Sequence, residues 1–388
     1  EGMRVKRVLA ALLLLCAVTM SVGAAAQTQM NVYFAANAMD EETAGALMER
    51  TRQAFPQAQW RAIGPTGERD LRALILGDDM PDLIVCAPSE ASLWVSDGLF
   101  IALDGCLTDA SRISEPVLDA CVQDETLFML PLTARHRQMA VNRRLLEKRR
   151  MGYMANAIEH PIWYPMEFDQ LLEEFALADH PALEIGPAEP ETCGALEALL
   201  QALYGGAWLT EGGETGQADH INVQAALEWL RDRVRGGLIA RVGSREEALT
   251  HFLNGETALF MDWQTGDERR CARELEKNGI ELLTMPYPSS TGFVIRSFEL
   301  TGVCVATGAN SALAMRAAAL WHEDAQAQRA LGERGIWKDD AVWLPEIDAT
   351  QKGLTLRRLM CEAIESTLSG ESAPKDALRL VQTTMDAM

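Results

Sequence analysis

The pattern of apolar and polar positions between Ser244 and Trp263 predicts a helix followed by a buried strand. Ser244 and Glu247 have the spacing of a capping box, and Asn254-Gly255 is a typical helix stop. The continuous apolar run Ala258–Met261 then indicates a strand covered on both faces, with Asp262-Trp263 at its carboxyl end. Because open α/β sheets bind ligands at the carboxyl ends of their strands, we expect Asp262 and Trp263 to face a ligand.

The same alternation continues on both sides of this stretch. A second apolar run, Ile280–Met285, follows a helix-like segment and completes a strand–helix–strand unit. In the N-terminal third, apolar runs at 30–36, 59–63 and 83–86 alternate with amphipathic segments. Single helices between strands predict an α/β fold with a parallel, doubly wound sheet. Asn37 follows the first of these strands, and Ser89 and Glu90 follow the third.

Two proline-containing stretches predict crossings between two lobes. Leu127–Leu130 leads into Pro131 and on to Arg135, and Pro286-Tyr287-Pro288 returns the chain. We therefore expect one lobe from residues 27–130 plus 286–325 and a second from 131–285 plus 326–388. Residues 180–192, rich in proline and glycine, are predicted to form a loop.

The first residues have the three parts of a secretory signal peptide. Arg4, Lys6 and Arg7 precede the apolar run Val8–Val22, and Ala24-Ala25-Ala26 offers a cleavage site. Residues 3–26 are therefore expected to direct export to a periplasmic or extracellular location. The alternative is an uncleaved, membrane-associated anchor, which the shortness of the apolar run disfavours.

Charge narrows the range of partners. The 388 residues carry a formal net charge of −21. Nucleic-acid binding needs a basic surface, so we expect no nucleic-acid partner. The basic run 142–150 is interpreted as a solvated helix face within this acidic chain.

No motif for catalysis, a metal or a cofactor is found in the sequence. There is no Gly-x-Ser-x-Gly, His-Glu-x-x-His, phosphate loop or Gly-x-Gly-x-x-Gly, so neither an enzyme nor a cofactor is expected. The six histidines are scattered without ligand spacing, so no metal site is expected. Cys106 and Cys121 are close enough in sequence for a disulfide after export, which only a structure can support. Several tryptophans, among them Trp208 and Trp263, lie near the ends of predicted elements, where they can stack on a ligand or close the core.

Three segments resemble the extracellular solute-binding proteins of ABC importers, family 1, which includes many sugar binders. Pro81–Val85 followed by Gly98–Asp104 resembles the family's Pro-Asp-strand and Gly-Leu-x-x-x-Leu-Asp block. Leu127–Pro131 with Val141–Leu146 resembles its first crossing, and Phe252–Leu259 resembles its Phe-x-x-Gly-x-x-Ala-Met signature. Their order spans nearly the whole chain behind the signal peptide.

The resemblance implies two doubly wound α/β lobes joined by crossing segments, the type II arrangement of periplasmic binding proteins. It implies a monomer that closes on a small solute, a sugar above all, and delivers it to an ABC permease. The ligand-facing candidates that it implies are Asn37, Ser89, Glu90, Arg135, Asp262 and Trp263, with Trp208 and Glu299 as further candidates. The alternatives are a cationic ligand such as a polyamine or metal, an exported ligand-sensing subunit, and a secreted hydrolase.

Overall fold

The structure is a computed structural model. It describes residues 27–35, 38–64, 74–75, 80–107, 109–148, 150, 164–176, 181–189, 193–205, 217–264, 266–290, 294–331, 336–337, 342–345 and 351–387. The signal-peptide region, Asn37 and Trp208 lie outside these ranges.

Twelve strands are formed by the described residues. They are β1 (Thr28–Phe34), β2 (Ala58–Ile63), β3 (Leu83–Cys86), β4 (Val122–Gln123), β5 (Thr126–Leu127), β6 (Leu130–Asn142), β7 (Leu183–Ile185), β8 (Ile239–Arg241), β9 (Leu259–Gln264), β10 (Leu282–Met285), β11 (Ile295–Val305) and β12 (Val342–Pro345).

The helices of the described residues alternate with these strands. They are α1 (Glu41–Ala54), α2 (Pro88–Val95), α3 (Glu115–Asp119), α4 (Arg143–Lys148), α5 (Pro165–Ala176), α6 (Gly194–Tyr204), α7 (Ile221–Arg235), α8 (Arg245–Leu253), α9 (Asp267–Asn278), α10 (Ser311–Glu323), α11 (Ala325–Leu331), α12 (Gln351–Ser369) and α13 (Pro374–Asp386).

Ten of the strands form one sheet in the order β2-β1-β3-β11-β6-β9-β7-β8, with β10 beside β6 and β12 beside β11. The β1–β2, β1–β3, β7–β8 and β7–β9 pairs are parallel, as expected for strands joined through helices. The two long strands β6 and β11 run antiparallel to each other, β11 also to β3, and β6 also to β9 and β10, whereas β12 pairs with β11 in parallel. The predicted α/β fold class is confirmed, and β6 and β11 are its crossing strands.

Two large hydrophobic cores lie on the two sides of the crossing strands. The first is built from residues between Met30 and Ala134 and between Phe298 and Ile336. The second is built from residues between Met139 and Tyr287 and between Leu356 and Met385, and a small satellite core packs around Phe252 and Trp263. We name the parts around the first and second cores lobe 1 and lobe 2. Ala327, Leu331 and Ile336 pack in lobe 1, whereas the sequence-based division assigned residues from 326 onward to the second lobe.

Three local features differ from the sequence-based expectation. The predicted loop 180–192 contains β7, because the three residues Leu183–Ile185 give too short a periodic signal among prolines and glycines. The first crossing, expected as Leu127–Leu130 leading into Pro131 and on to Arg135, lies in one continuous strand of 13 residues, Leu130–Asn142. The second crossing is made by β11 itself, which begins after the Pro286-Tyr287-Pro288 segment.

Gly302 in β11 lies close to Met129 and to Leu130 at the start of strand β6. Thr301 lies opposite Thr133 and Gly302 opposite Pro131, so Leu132 is an extra residue that makes a β-bulge in β6. Pro131 has no N–H to donate, and a bulge is one of the few places where a sheet tolerates proline. A Cβ on Gly302 would collide with the Met129 side chain and lie 2.8 Å from the Leu130 carbonyl oxygen. Glycine is therefore required where the crossing strands enter lobe 1.

The seven cysteines of the described residues are free, buried thiols, so the disulfide considered for Cys106 and Cys121 is not formed. Burial in apolar surroundings raises the pKa of the Cys121 thiol well above its usual value. A buried neutral thiol packs as a small apolar side chain, and these cysteines belong to the cores.

Candidate functional site

The carboxyl ends of strands from both lobes point to the same stretch of the crossing strands. In lobe 1, Cys86 at the end of β3 lies opposite Gly302 of β11, so the chain beyond β3 runs toward Glu299. In lobe 2, Gln264 at the end of β9 lies opposite Arg137 of β6. Ligands of open α/β sheets bind outside such ends. The place where the two ends meet is therefore the candidate binding cleft.

A polar face of the crossing strands lies at this meeting point. Arg135 and Glu299 are directly opposed in the register of β6 and β11, and Arg135 Nη2 lies 3.5 Å from Glu299 Oε1. Their side chains are 30% and 32% exposed. The intervening residues Ala134, Phe298 and Leu300 turn the other way and pack in lobe 1. The structure thus brings together two of the predicted site residues, Arg135 and Glu299, on a surface that solvent can reach.

Behind this pair lies a group of buried ion pairs. Arg137 Nη1 is 2.5 Å from Asp262 Oδ1, and Arg137 Nη2 is 4.0 Å from Glu299 Oε2. Arg245, at the start of α8, donates to Asp262 Oδ2 and lies 3.8 Å from Asp267. We name Arg135, Arg137, Arg245, Asp262, Asp267 and Glu299 the crossing-strand charge cluster. Its three arginines and three carboxylates balance in formal charge, and Asp267 pairs in addition with the solvent-exposed Arg270 at 2.7 Å.

Asp262 has a different position from the one expected for a ligand contact. Its side chain is 5% exposed, and its two oxygens are bound separately by Arg137 and Arg245. Arg245 also donates to the Asp262 backbone oxygen at 2.9 Å. The expectation that Asp262 faces a ligand is corrected: it holds two arginines in place behind the cleft surface.

Trp263 is also turned away from the position expected of a stacking ring. Gln138 lies opposite Trp263 and Ala140 opposite Phe260, so Met261 and Asp262 together face the single residue Met139. This β-bulge shifts the alternation by one residue and brings Phe260 and Trp263 to the same side of β9. The Trp263 ring is 2% exposed and contacts the edge of Phe252, with ring centroids 6.1 Å apart. Trp263 therefore packs the satellite core and has no open ring face.

The lobe 1 wall of the cleft begins directly after β3. Ser89 and Glu90 lie in the first turn of α2, which starts at Pro88 without a side-chain cap. The Glu90 side chain is exposed, yet desolvation by the surrounding protein raises the pKa of its carboxyl against the opposing effect of the Ala87 backbone. Ser89 and Glu90 therefore lie on the lobe 1 side of the candidate cleft, directly after the end of β3.

A positive charge on helix α9 of lobe 2 acts on the carboxylate that caps helix α1 of lobe 1. Asp40 caps α1, which follows β1, by accepting from the Thr43 backbone N at 2.7 Å. Desolvation raises the pKa of Asp40, but the hydrogen bonds from Thr43 and the positive charge of Arg269 outweigh it and lower the pKa. Arg269 belongs to α9, which follows β9 in lobe 2. The two lobes thus approach closely enough for a charge on one to act on the other.

A small cavity lies within lobe 2, next to the cluster. It has a volume of about 30 Å³ and is lined by Glu184, Arg245, Phe260, Asp262 and the chain 186–188. One water molecule needs roughly 10–15 Å³ of such volume, so the cavity has room for ordered water and not for a sugar. It lies on the side of Asp262 that faces lobe 2.

Two arginines of the cluster, Arg137 and Arg245, were missed from the sequence. A signal for Arg137 existed, because residues i and i+2 of a strand share a face and Arg135 was already a candidate. Arg245 lies within the capping box that begins at Ser244, and nothing in the sequence indicates that its side chain pairs with Asp262. Among the described residues, no group of three or more His, Cys, Asp or Glu side chains is arranged to hold a metal.

Comparison with known proteins identifies the architecture. No protein-family profile and no curated protein sequence matches the chain. Among solved structures, the sugar-binding protein MalE from Xanthomonas citri superposes with a TM-score of 0.76 at 14% identity, over 93% of this chain and 97% of that one. The chain has the fold of a two-lobed ABC solute-binding protein.

Two further structures with this fold have named sugar ligands. The cyclic α-maltosyl-1,6-maltose binding protein from Arthrobacter globiformis has a TM-score of 0.74 at 16% identity, over 93% of this chain and 98% of that one. The GacH receptor of Streptomyces glaucescens, solved unliganded and with acarbose, has a TM-score of 0.73 at 18% identity with the same coverage. The fold expected from the sequence resemblance is confirmed over almost the whole chain.

Proposed function

We propose that the chain is an exported solute-binding protein that captures a small carbohydrate between its two lobes and delivers it to an ABC permease. The observation that carries this proposal is the convergence of β3, β9 and the crossing strands on the exposed Arg135–Glu299 pair. Solved structures with the same fold that bind sugars support the ligand class. The protein acts by binding, as a monomer, and carries out no reaction.

The ligand contacts that we propose come from both sides of the cleft. Arg135 and Glu299 offer a charged donor and acceptor to hydroxyl groups, and Glu90 offers an acceptor from lobe 1. Asn37, Ser89 and Trp208 stay predicted contacts, because Asn37, Trp208 and the side chain of Ser89 are outside what the structure describes. Asp262 and Trp263 act indirectly, through the packing of lobe 2.

The charge balance of the cleft favours an uncharged ligand over a cation. A polyamine or metal site needs carboxylates that converge without counter-ions. Asp262, Asp267 and Glu299 each have an arginine within 4.0 Å.

Export rests on the predicted signal peptide at residues 3–26. Within the described residues, no helix combines the length and apolar character needed to cross a bilayer. A signalling role in place of transport uses the same cleft and differs only in the partner.

Calorimetric titration of the purified protein tests the proposal. The uncharged probes are maltotriose, D-tagatose and cyclic maltosyl-maltose, and spermidine is the cationic probe. We expect saturable binding of at least one sugar, together with a decrease in the radius of gyration measured by X-ray scattering as the lobes close. Binding of spermidine without any sugar, or sugar binding that leaves the radius of gyration unchanged, would overturn the proposal.

A further inference from the structure

Three arginines reach the point where the strand ends of both lobes meet, which is an arrangement that ordinarily binds anions. Guanidinium groups match carboxylate and phosphate in charge and geometry. Here each arginine has a carboxylate of the chain as its partner: Glu299 for Arg135, and Asp262 for both Arg137 and Arg245. The chain itself occupies the positions that an anionic ligand would take.

Asp262 neutralises two of the three arginines, because both donate hydrogen bonds to its carboxylate. It is the carboxylate shared by an arginine of the crossing strand β6 and an arginine of helix α8, one on each oxygen. Arg245 is fixed on a second side, because its guanidinium carbon lies 5.4 Å from the centre of the Phe260 ring. Arg137 in turn reaches Glu299, which faces the cleft. A change of charge at Asp262 therefore acts on the surface that the ligand meets.

Because the cationic partners of Asp262 are arginines, they keep their positive charge when the Asp262 charge is removed. A lysine or histidine that loses its counter-ion can release a proton, but arginine stays protonated at any pH that a folded protein experiences. Without the Asp262 charge, the side chains of Arg137 and Arg245, 7% and 16% exposed, would keep one uncompensated positive charge at the cleft. Because Arg135, Arg137 and Arg245 converge at this point, the uncompensated charge would form a binding site for an anion from solution, which a single arginine elsewhere would not.

We infer that Asp262 is a positioning residue that neutralises Arg137 and Arg245 and thereby makes the cleft select an uncharged ligand over an anion. The inference rests on the proposed function in taking this cleft as the ligand site. It assigns specificity to a residue that does not touch the ligand. It also explains why so acidic a chain places three arginines at the junction of its lobes.

The test compares charge variants with inorganic phosphate as the anionic probe and maltotriose as the uncharged one. Asp262→Asn is expected to gain a saturable rise of Tm with phosphate at constant ionic strength. The double variant Asp262→Asn with Arg245→Gln restores neutrality and is expected to lose that rise. Where maltotriose binds the wild type, Asp262→Asn is expected to bind it at least about tenfold more weakly.

Asp169→Asn is the matched control. Asp169 also accepts from a partly buried arginine, Arg233, at 2.9 and 2.6 Å, but between α5 and α7, away from the crossing strands. Phosphate stabilises most proteins slightly by exclusion from their surface, and this shift is expected equally in the wild type and the control. A phosphate response of Asp262→Asn no larger than theirs would overturn the inference.

A second variant keeps the test decisive if Asp262→Asn does not fold. Glu299 is 32% exposed, so Glu299→Gln unbalances the cluster without leaving a buried charge alone. The same gain of phosphate response is expected, and its absence would contradict the inference. Because the phosphate measurement needs no sugar, it succeeds or fails independently of whether a carbohydrate is the ligand.

Discussion

Arg137 of the first crossing strand and Asp262 of lobe 2 form a buried ion pair, with 2.5 Å between Nη1 and Oδ1. The opposite face of the same strand contributes Ala134 to the core of lobe 1. One stretch of β6 is therefore bound on one side by apolar packing to lobe 1 and on the other by charge to lobe 2. This stretch of β6 therefore ties the two lobes together.

Replacing Arg137 is expected to destabilise the protein strongly. In Arg137→Gln, Asp262 and Glu299 lose one of their partners, and removing one member of a buried pair costs about 3–5 kcal/mol. Urea denaturation followed by tryptophan fluorescence measures this loss. The control is Arg231→Gln, whose pair with Asp232 lies at the surface and is worth less than about 1 kcal/mol. Equal losses for the two variants would contradict a buried, energetically important pair.

Trp263 is expected to matter for stability and not for direct ligand contact. Trp263→Ala removes a ring packed against Phe252, and such truncations cost about 3–5 kcal/mol. Trp263→Phe keeps most of the packing, so it should retain the sugar affinity of the wild type. The pair of variants is compared by thermal denaturation and calorimetry. Loss of sugar binding in Trp263→Phe at unchanged Tm would show instead that the ring touches the ligand.

The order of elements could be predicted from the sequence, whereas the orientation of Trp263 could not. The helix stop at Asn254-Gly255 and the apolar run Ala258–Met261 carry their own local signals, and the structure ends α8 at Leu253 and begins β9 at Leu259. The bulge at Met261–Asp262 is set by pairing with β6, more than a hundred residues earlier. One extra residue in a strand reverses the direction of every side chain beyond it. A strand-end position therefore did not imply a ligand-facing side chain.

The pairing of charged side chains in the candidate site also could not be predicted from the sequence. Arg135 and Glu299 were candidates, and they are direct cross-strand partners although 164 positions separate them in the chain. Asp262 was a candidate through its strand-end position, but its two arginine partners come from different elements. A sequence pattern gives the residue type and the edge of the sheet. The pairing that decides whether a charge is free for a ligand depends on long-range register.

Arg135 and Glu299 are expected to matter for sugar binding and little for stability, which is the opposite of the expectation for Trp263. Both are about one-third exposed, and exposed ion pairs contribute roughly 0–1 kcal/mol to stability. Arg135→Gln and Glu299→Gln should therefore change the urea midpoint little but weaken sugar binding by at least about tenfold, since a hydrogen bond to a charged group is worth ~1.5–3 kcal/mol. Arg143→Gln, which removes surface pairs with Glu147 and Glu281, is the control. Wild-type affinity in both cleft variants would remove this pair from the site.

Gly302 is expected to tolerate no larger residue. In Gly302→Ala the new methyl group would collide with Met129 and approach the Leu130 oxygen at 2.8 Å, and overpacking of this kind costs about 1–3 kcal/mol. Gly308→Ala is the matched control, because no atom lies within 4 Å of a Cβ there. Thermal denaturation should separate the two variants. A Tm for Gly302→Ala equal to that of Gly308→Ala would show that the crossing strands are not closely packed at the bulge.

The His251–Glu184 pair is expected to make lobe 2 less stable as pH rises. His251 Nδ1 lies 2.6 Å from Glu184 Oε2, and this hydrogen bond raises the pKa of His251 above its ordinary value against the opposing effect of desolvation. The nearby charges of Glu256 and Glu247 act in the same direction. A group with a raised folded-state pKa stabilises the fold below its unfolded pKa of about 6.5, and this contribution is lost as pH rises through the folded value.

The measurement is the difference in Tm between wild type and His251→Gln, followed from about pH 6 to pH 9, a range that begins below the ordinary histidine pKa. The wild type should be the more stable protein at the acidic end, and the difference should shrink toward the alkaline end. Glu184→Gln removes the other partner and should flatten the wild-type dependence in the same way. A difference that stays constant with pH would mean that His251 has the same pKa in the folded and the unfolded protein, and it would contradict a pair with Glu184 that favours the protonated ring.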